Sequence, residues 1–231
     1  MWKIIHLDEV DSTNDYAKSI AEESPEGTVV IAKRQTAGKG RKGRSWASPE
    51  GGLWMSVILK PERTDPRLVF VGALAVVDTL ADFGIKGWIK WPNDVWVEGK
   101  KIAGVLTEGK AEKFVVMGIG LNVNNPVPEG LEREATSMIY HTGMELPLDS
   151  VLDRLLFHLG GWYGVYKERP ELLVEKLRQR TFILGKAVRV TEDDKTIIGR
   201  ALDVLDDGSL LLEVGGELRR ILYGDVSVRP L

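Results

Sequence analysis

From Gly38 to Trp46 the chain reads Gly-Lys-Gly-Arg-Lys-Gly-Arg-Ser-Trp, which sets Lys39, Arg41, Lys42 and Arg44 among Gly38, Gly40 and Gly43. Glycine at this density lets the backbone bring its N–H groups against an anion, while the cations supply charge and the Trp46 indole offers a flat face for a base. These are the parts of a nucleotide-phosphate site. The Gly38-x-Gly40-x-x-Gly43 spacing also matches a dinucleotide fingerprint, and Thr28–Lys33 reads as the strand that should precede one. A fingerprint must open a helix, however, and Pro49, Gly51 and Gly52 break the first possible turns. No Walker-type Gly-Lys-Ser/Thr occurs. A solvated connection is the plain alternative for such a loop, and the case against it lies elsewhere in the chain.

Asp11-Ser12-Thr13-Asn14-Asp15 holds more helix-capping side chains than one helix start needs. One of them caps; the others are either solvated or face the polar head of a ligand. Lys90-Trp91-Pro92-Asn93-Asp94 puts a cation, an amide and a carboxylate around a turn. Lys101 starts a strand in which Gly104 follows, and a glycine inside a strand marks a bulge or a close approach to the backbone. Gly118 and Gly120 share one face of the apolar strand read in Phe114–Pro126, leaving it bare either for a flat ligand or for a close-packed helix.

The elements that must position these residues follow from pattern and punctuation. Strands are predicted at Lys3–Leu7, Thr28–Lys33, Leu53–Lys60 and Lys101–Glu108, with a Glu98-Gly99-Lys100 hairpin before the last. A helix starts in the Asp11–Asp15 cluster. A core helix spans Leu68–Leu80, with Pro66 before it and Gly84 past its end, and two more helices span Leu148–Tyr166 and Pro170–Arg180. Thr136-Ser137 caps a turn or short helix after a polar loop. Beyond Gly185 come short strands at Val188–Val190, Ile197–Ile198, Ala201–Leu205, Leu210–Val214 and Leu218–Tyr223, joined by Asp206-Asp207-Gly208 and Gly215-Gly216 hairpins. So small a barrel-like module must lean on the larger one. The expected division is 1–184 and 185–231.

The 231 residues are 43% hydrophobic and 28% charged with a net charge of −3, which suits a globular core and gives no global positive field for nucleic acid or an anionic membrane. No cysteine is present, so disulfides, thiolate zinc sites and cysteine nucleophiles are excluded. His6, His141 and His158 have no metal-ligand spacing. With no leader-like apolar start, the expectation is a cytoplasmic protein.

Asp11-Ser-Thr-Asn14, Gln35-Thr-Ala-Gly38-Lys-Gly40-Arg41-Lys-Gly43-Arg44-Ser-Trp46, Lys90-Trp-Pro-Asn93-Asp94, Lys101-Ile-Ala-Gly104 and Gly118-Ile-Gly120-Leu-Asn122, in this order, resemble the biotin protein ligase family over essentially the whole chain. The resemblance implies an α+β fold: a mixed β-sheet catalytic domain flanked by helices, like a class II aminoacyl-tRNA synthetase, then a small SH3-like barrel. It implies two steps, biotin plus MgATP giving biotinyl-5′-AMP and pyrophosphate, then transfer of biotin to a lysine of a biotin carboxyl carrier protein. Lys101 and Arg41 are the implied catalytic cations. Biotin is assigned to Ser12, Thr13, Asn14, Gln35, Gly38, Lys39, Gly40, Arg41, Lys101, Gly104, Gly118 and Gly120. The nucleotide is assigned to Lys39, Arg41, Arg44, Trp46, Lys90, Asn93, Lys101 and Asn122, with Asp94 as a candidate Mg²⁺ ligand. A homodimer is implied as well. Two departures stand out. Lys39 and Lys42 occupy places where many members have arginine, and lysine lacks the bidentate fork. No helix-turn-helix segment precedes Trp2, so DNA binding is not expected. A lipoate ligase of the same fold is the near alternative, disfavoured because lipoate has no ureido ring for Ser12–Asn14 and Gln35. A non-catalytic nucleotide- or RNA-binding module is the distant one.

Overall fold

The computed structural model describes residues 2–110, 113–192, 195–222 and 226–230. Its larger part is a seven-stranded sheet of β1 (Lys3–Val10), β2 (Thr28–Gln35), β3 (Leu53–Leu59), β4 (Trp88–Lys90), β5 (Asp94–Val97), β6 (Lys100–Lys110) and β7 (Phe114–Leu121). The spatial order is β1-β2-β3-β7-β6-β5-β4. β1 and β2 run parallel, joined through α1 (Thr13–Ile20), and every other pairing is antiparallel. A parallel pair needs such a crossover, and here the crossover helix brings its N-terminus to the strand ends.

The strand period of two sorts this sheet into a core face and a site face. Leu53, Met55, Val57 and Leu59 of β3 and Val115, Met117, Ile119 and Leu121 of β7 face the main core. That core is filled by α2 (Leu68–Asp82), α4 (Leu148–Glu168) and α5 (Glu171–Arg180). α2 lies so close that a Cβ on Gly72 would come within 2.8 Å of Val105. Asp78 then ties the three helices together, accepting from Trp162 at 2.7 Å and Arg180 at 2.5 Å. Alternate residues of the same strands face α1, where Ala17, Ala21, Val30, Ile58, Phe114 and Val116 form a second small core.

A five-stranded antiparallel sheet follows: β8 (Ala187–Glu192), β9 (Lys195–Val204), β10 (Leu210–Val214), β11 (Glu217–Ile221) and β12 (Val226–Pro230), in the order β11-β10-β9-β8-β12. The separate strands expected at Ile197–Ile198 and Ala201–Leu205 are one strand. Gly199 carries it through, because a side chain there would meet the Glu213 carbonyl at 2.6 Å. β12 had no counterpart in the sequence reading, and Tyr223 lies outside the described residues. The inner residues Val188, Val190, Ala201, Val204, Leu210 and Leu212 belong to the same continuous core as α2 and α5.

The two sheets meet beside the Lys90–Asp94 turn. Trp91 is fully buried and donates its indole N–H to the Gly208 carbonyl at 3.0 Å, while Arg178 binds Asp203, Asp206 and the Val204 carbonyl. Trp91→Phe would orphan the buried Gly208 carbonyl at a cost of about 1–3 kcal/mol. Its urea midpoint should fall accordingly, whereas a substitution at the exposed Phe157 should leave the midpoint in place.

Candidate active site

At the N-terminus of α1, Ser12 is the cap: its hydroxyl accepts from the Asp15 N–H at 3.4 Å, and its own N–H goes to Asp11 at 2.7 Å. That frees Thr13 and Asn14, both buried, to face the sheet. Gln35 ends β2 opposite them, and its Oε1 accepts from the Thr13 N–H at 2.8 Å and the Thr13 hydroxyl at 3.0 Å. Its Nε2 donates to Ser48 at 2.7 Å, and Ser48 donates to the Trp46 carbonyl at 3.1 Å. The Ser56 hydroxyl donates to Asn14 Oδ1 at 2.6 Å and lies 2.8 Å from Thr13 Oγ1; Asn14 Nδ2 donates to Glu108 at 2.8 Å. Donors and acceptors thus converge at one end of a cleft of about 190 Å³. Ser48, Ser56 and Glu108 were not among the expected site residues. Ser56 carried a signal, as the only hydroxyl in the apolar run Leu53–Leu59.

The glycines have different reasons. Gly104 and Gly120 are paired across β6 and β7, and a Cβ on Gly120 would meet the Trp46 indole at 2.6 Å. A Cβ on Gly104 would meet it at 3.1 Å. The bare floor is therefore faced by Trp46, whose buried indole nitrogen has no hydrogen-bond partner. At Gly118 the neighbour is the helix: a Cβ there would lie 2.2 Å from Asn14 Oδ1. Gly38 is absent from the cleft lining and is needed where the loop folds under itself, since its Cβ would come within 2.5 Å of the Trp46 carbonyl.

At the other end, Asp94 holds two ammonium groups, Lys101 at 2.6 Å and Lys90 at 3.1 Å. Burial pushes the Asp94 carboxyl up, and the two lysines outweigh it, holding the group below its ordinary value. Lys101 reaches this face through a bulge. Asp94 pairs with Gly104 and Val95 with Ala103, but Trp96 pairs with Lys101, so β6 has one extra residue and its alternation flips. Asn93 donates to the Val105 carbonyl at 2.8 Å and accepts from Arg41 at 3.0 Å. The metal role expected of Asp94 would require one of its ion pairs to open. Among the described residues, no three His, Cys, Asp or Glu side chains are grouped to hold a metal.

The loop is folded over this cleft. Lys39 bridges Ser45 across it, and Arg41–Gly43 make a 3-10 turn with Lys42 at φ 59° and Gly43 at φ 66°. Gly40, Arg41, Arg44 and Trp46 line the cleft, and Lys39 pairs with Asp15 at 2.5 Å. Asn122 stands apart: its amide donates to the Thr136 carbonyl at 2.9 Å, its oxygen accepts from Asn125 at 3.1 Å, and it does not line the cleft. His158 and His141 bond Asp82 and Thr136 at 2.9 Å each, outside the cleft.

A polar pocket and a cation cluster under a glycine loop, on a mixed sheet, describe a protein that brings a small acid to a nucleotide. The chain belongs to the Biotin/lipoate A/B protein ligase family, whose profile matches residues 7–124. Within it, the Biotin protein ligase C terminal domain profile matches residues 183–229. The chain is 36% identical to the Bifunctional ligase/repressor BirA of Bacillus subtilis, over 97% of this chain and 74% of that one. It is 35% identical to the Biotin--[acetyl-CoA-carboxylase] ligase of Paracoccus denitrificans, over 89% of this chain and 92% of the other. Among solved structures, the biotin protein ligase of Aquifex aeolicus in complex with biotin and ATP superposes with a TM-score of 0.92 at 33% identity, covering 100% of both chains.

Proposed function

We propose that this protein is an ATP-dependent biotin–protein ligase acting on a biotin carboxyl carrier protein. The observation that carries the reading is the coupling, in one cleft, of a ureido-sized polar end to a cation cluster. Thr13, Asn14 and Gln35 line the cleft with donors and acceptors that a ureido ring can engage, while Lys101 and Lys90 lie 2.6 Å and 3.1 Å from Asp94 and Arg41 lies 3.0 Å from Asn93. The names of the relatives support it, and they favour biotin over lipoate.

In the first step a biotin carboxylate oxygen bonds to the α-phosphorus and the bond to pyrophosphate breaks. Two anions must meet, so charge neutralisation and positioning are the main work, and Lys101 with Arg41 is placed to do it. Mg²⁺ would enter as part of MgATP, because among the described residues Asp94 is the sole carboxylate lining the cleft and it is already paired. In the second step the carrier lysine, deprotonated from a free pKa near ~10.4, bonds to the acyl carbon and AMP leaves. Trp46 would stack against the nucleotide, and the closed loop would keep water from the mixed anhydride. The division at residues 184 and 185, a homodimer and a cytoplasmic setting complete the reading. Among the described residues no helix is long and apolar enough to cross a membrane.

The test is pyrophosphate release from ATP with biotin, lipoate or neither. Biotin-dependent release is expected. Release with lipoate alone would transfer the chain to the lipoate branch, and release with neither acid would overturn adenylation altogether.

A further inference from the structure

The glycine loop is fastened across the cleft on both sides. Near its tip Arg41 donates to Asn93, on the turn between β4 and β5. At its base Lys39 reaches the other wall, pairing with Asp15 Oδ2 at 2.5 Å on the first turn of α1. Lys39 is itself bridged to Ser45, Gly40 N–H bonds the Arg44 carbonyl at 2.7 Å, and Trp46 N–H bonds the Gly38 carbonyl at 2.8 Å. Holding Lys39 therefore holds both legs of the loop, Trp46 included.

The Asp15 carboxylate takes no part in the helix cap or in the cleft lining; the helix is capped by Ser12, which uses only the Asp15 backbone N–H. Its second oxygen binds Lys18 at 2.9 Å; Lys18 reaches Glu108 at 3.2 Å, and Glu108 accepts from Asn14 at 2.8 Å. A continuous line of charged hydrogen bonds thus runs from the loop through α1 to the polar end of the cleft.

We propose that Asp15 is the loop's latch, a positioning residue that keeps the acyl adenylate in place between the two steps by holding Lys39. The adenylate part of this rests on the ligase reading; the latch itself does not. Both partners are partly exposed, so the effect is moderate and salt-sensitive.

The test uses full-length wild type, Asp15→Asn and Asp15→Glu. In the ligand-free proteins, tryptic cleavage in the loop after Arg41, Lys42 or Arg44 should be about two- to fivefold faster in Asp15→Asn, with Asp15→Glu close to wild type. High salt should speed wild-type cleavage and leave Asp15→Asn unchanged. Preformed biotinyl adenylate, chased with excess unlabelled biotin, should leave Asp15→Asn faster by a similar factor while the first-turnover pyrophosphate burst is kept. Equal loop cleavage in all three proteins, or equal acceleration in both variants, would overturn the latch. If wild type forms no adenylate, the ligase reading fails and the cleavage arm still decides the latch.

Discussion

Lys101→Ala should abolish most biotin-dependent pyrophosphate release, lowering its rate constant by about 10²–10³-fold, the usual cost of removing one preorganised charge stabiliser. Folding should survive, because Asp94 retains Lys90 at 3.1 Å and Lys101 is not part of the core. Biotin affinity should change much less than the rate, since Thr13, Asn14 and Gln35 lie at the other end of the cleft. Single-turnover pyrophosphate release with and without the mutation, beside a biotin-binding isotherm, separates the two effects. A lysine merely solvated at a strand end would give a near wild-type rate, and that result would remove Lys101 from the chemistry.

Lys101 also marks the limit of what was legible in the sequence. Strand alternation alone puts it on the same face as Ala103 and Val105, in the core, and only the extra residue in β6 turns it toward Asp94. A bulge leaves no compositional trace, so neither the reorientation nor the Lys101–Asp94–Lys90 triad could be read beforehand. The glycines were legible as bare floor but not as to what covers them: spacing could not decide between ligand and helix, and the structure puts Asn14 over Gly118 and Trp46 over Gly120. Asn122 was assigned by position in a motif, and its hydrogen bonds to Thr136 and Asn125 could not be read from that position. Long periodic elements such as α2 and α4 were evident because their faces are apolar over many turns. Ser48 and Glu108 were not, because a polar residue beside a loop or at a strand end looks solvated until the fold brings its partner.

Asp94→Asn should affect both stability and rate. The side chains of Asp94, Lys90 and Lys101 are 15%, 13% and 29% exposed, so the cost falls between that of a surface pair and a fully buried one, about 2 kcal/mol. The pH dependence has a fixed sign. The folded pKa of Asp94 lies below its ordinary 3.8, so its contribution is complete above that value and is lost as pH falls through the lower folded value. Wild type and variant should therefore differ most near neutrality and converge in acid, as read from urea midpoints across pH. Without the carboxylate between them the two ammonium groups would also repel each other and carry Lys101 off its position, so pyrophosphate release should fall, though by less than in Lys101→Ala. Saturating ATP supplies the missing negative charge and should narrow the stability gap. A variant with wild-type stability but activity restored by added Mg²⁺ would make Asp94 a metal ligand instead of the residue that seats the two lysines.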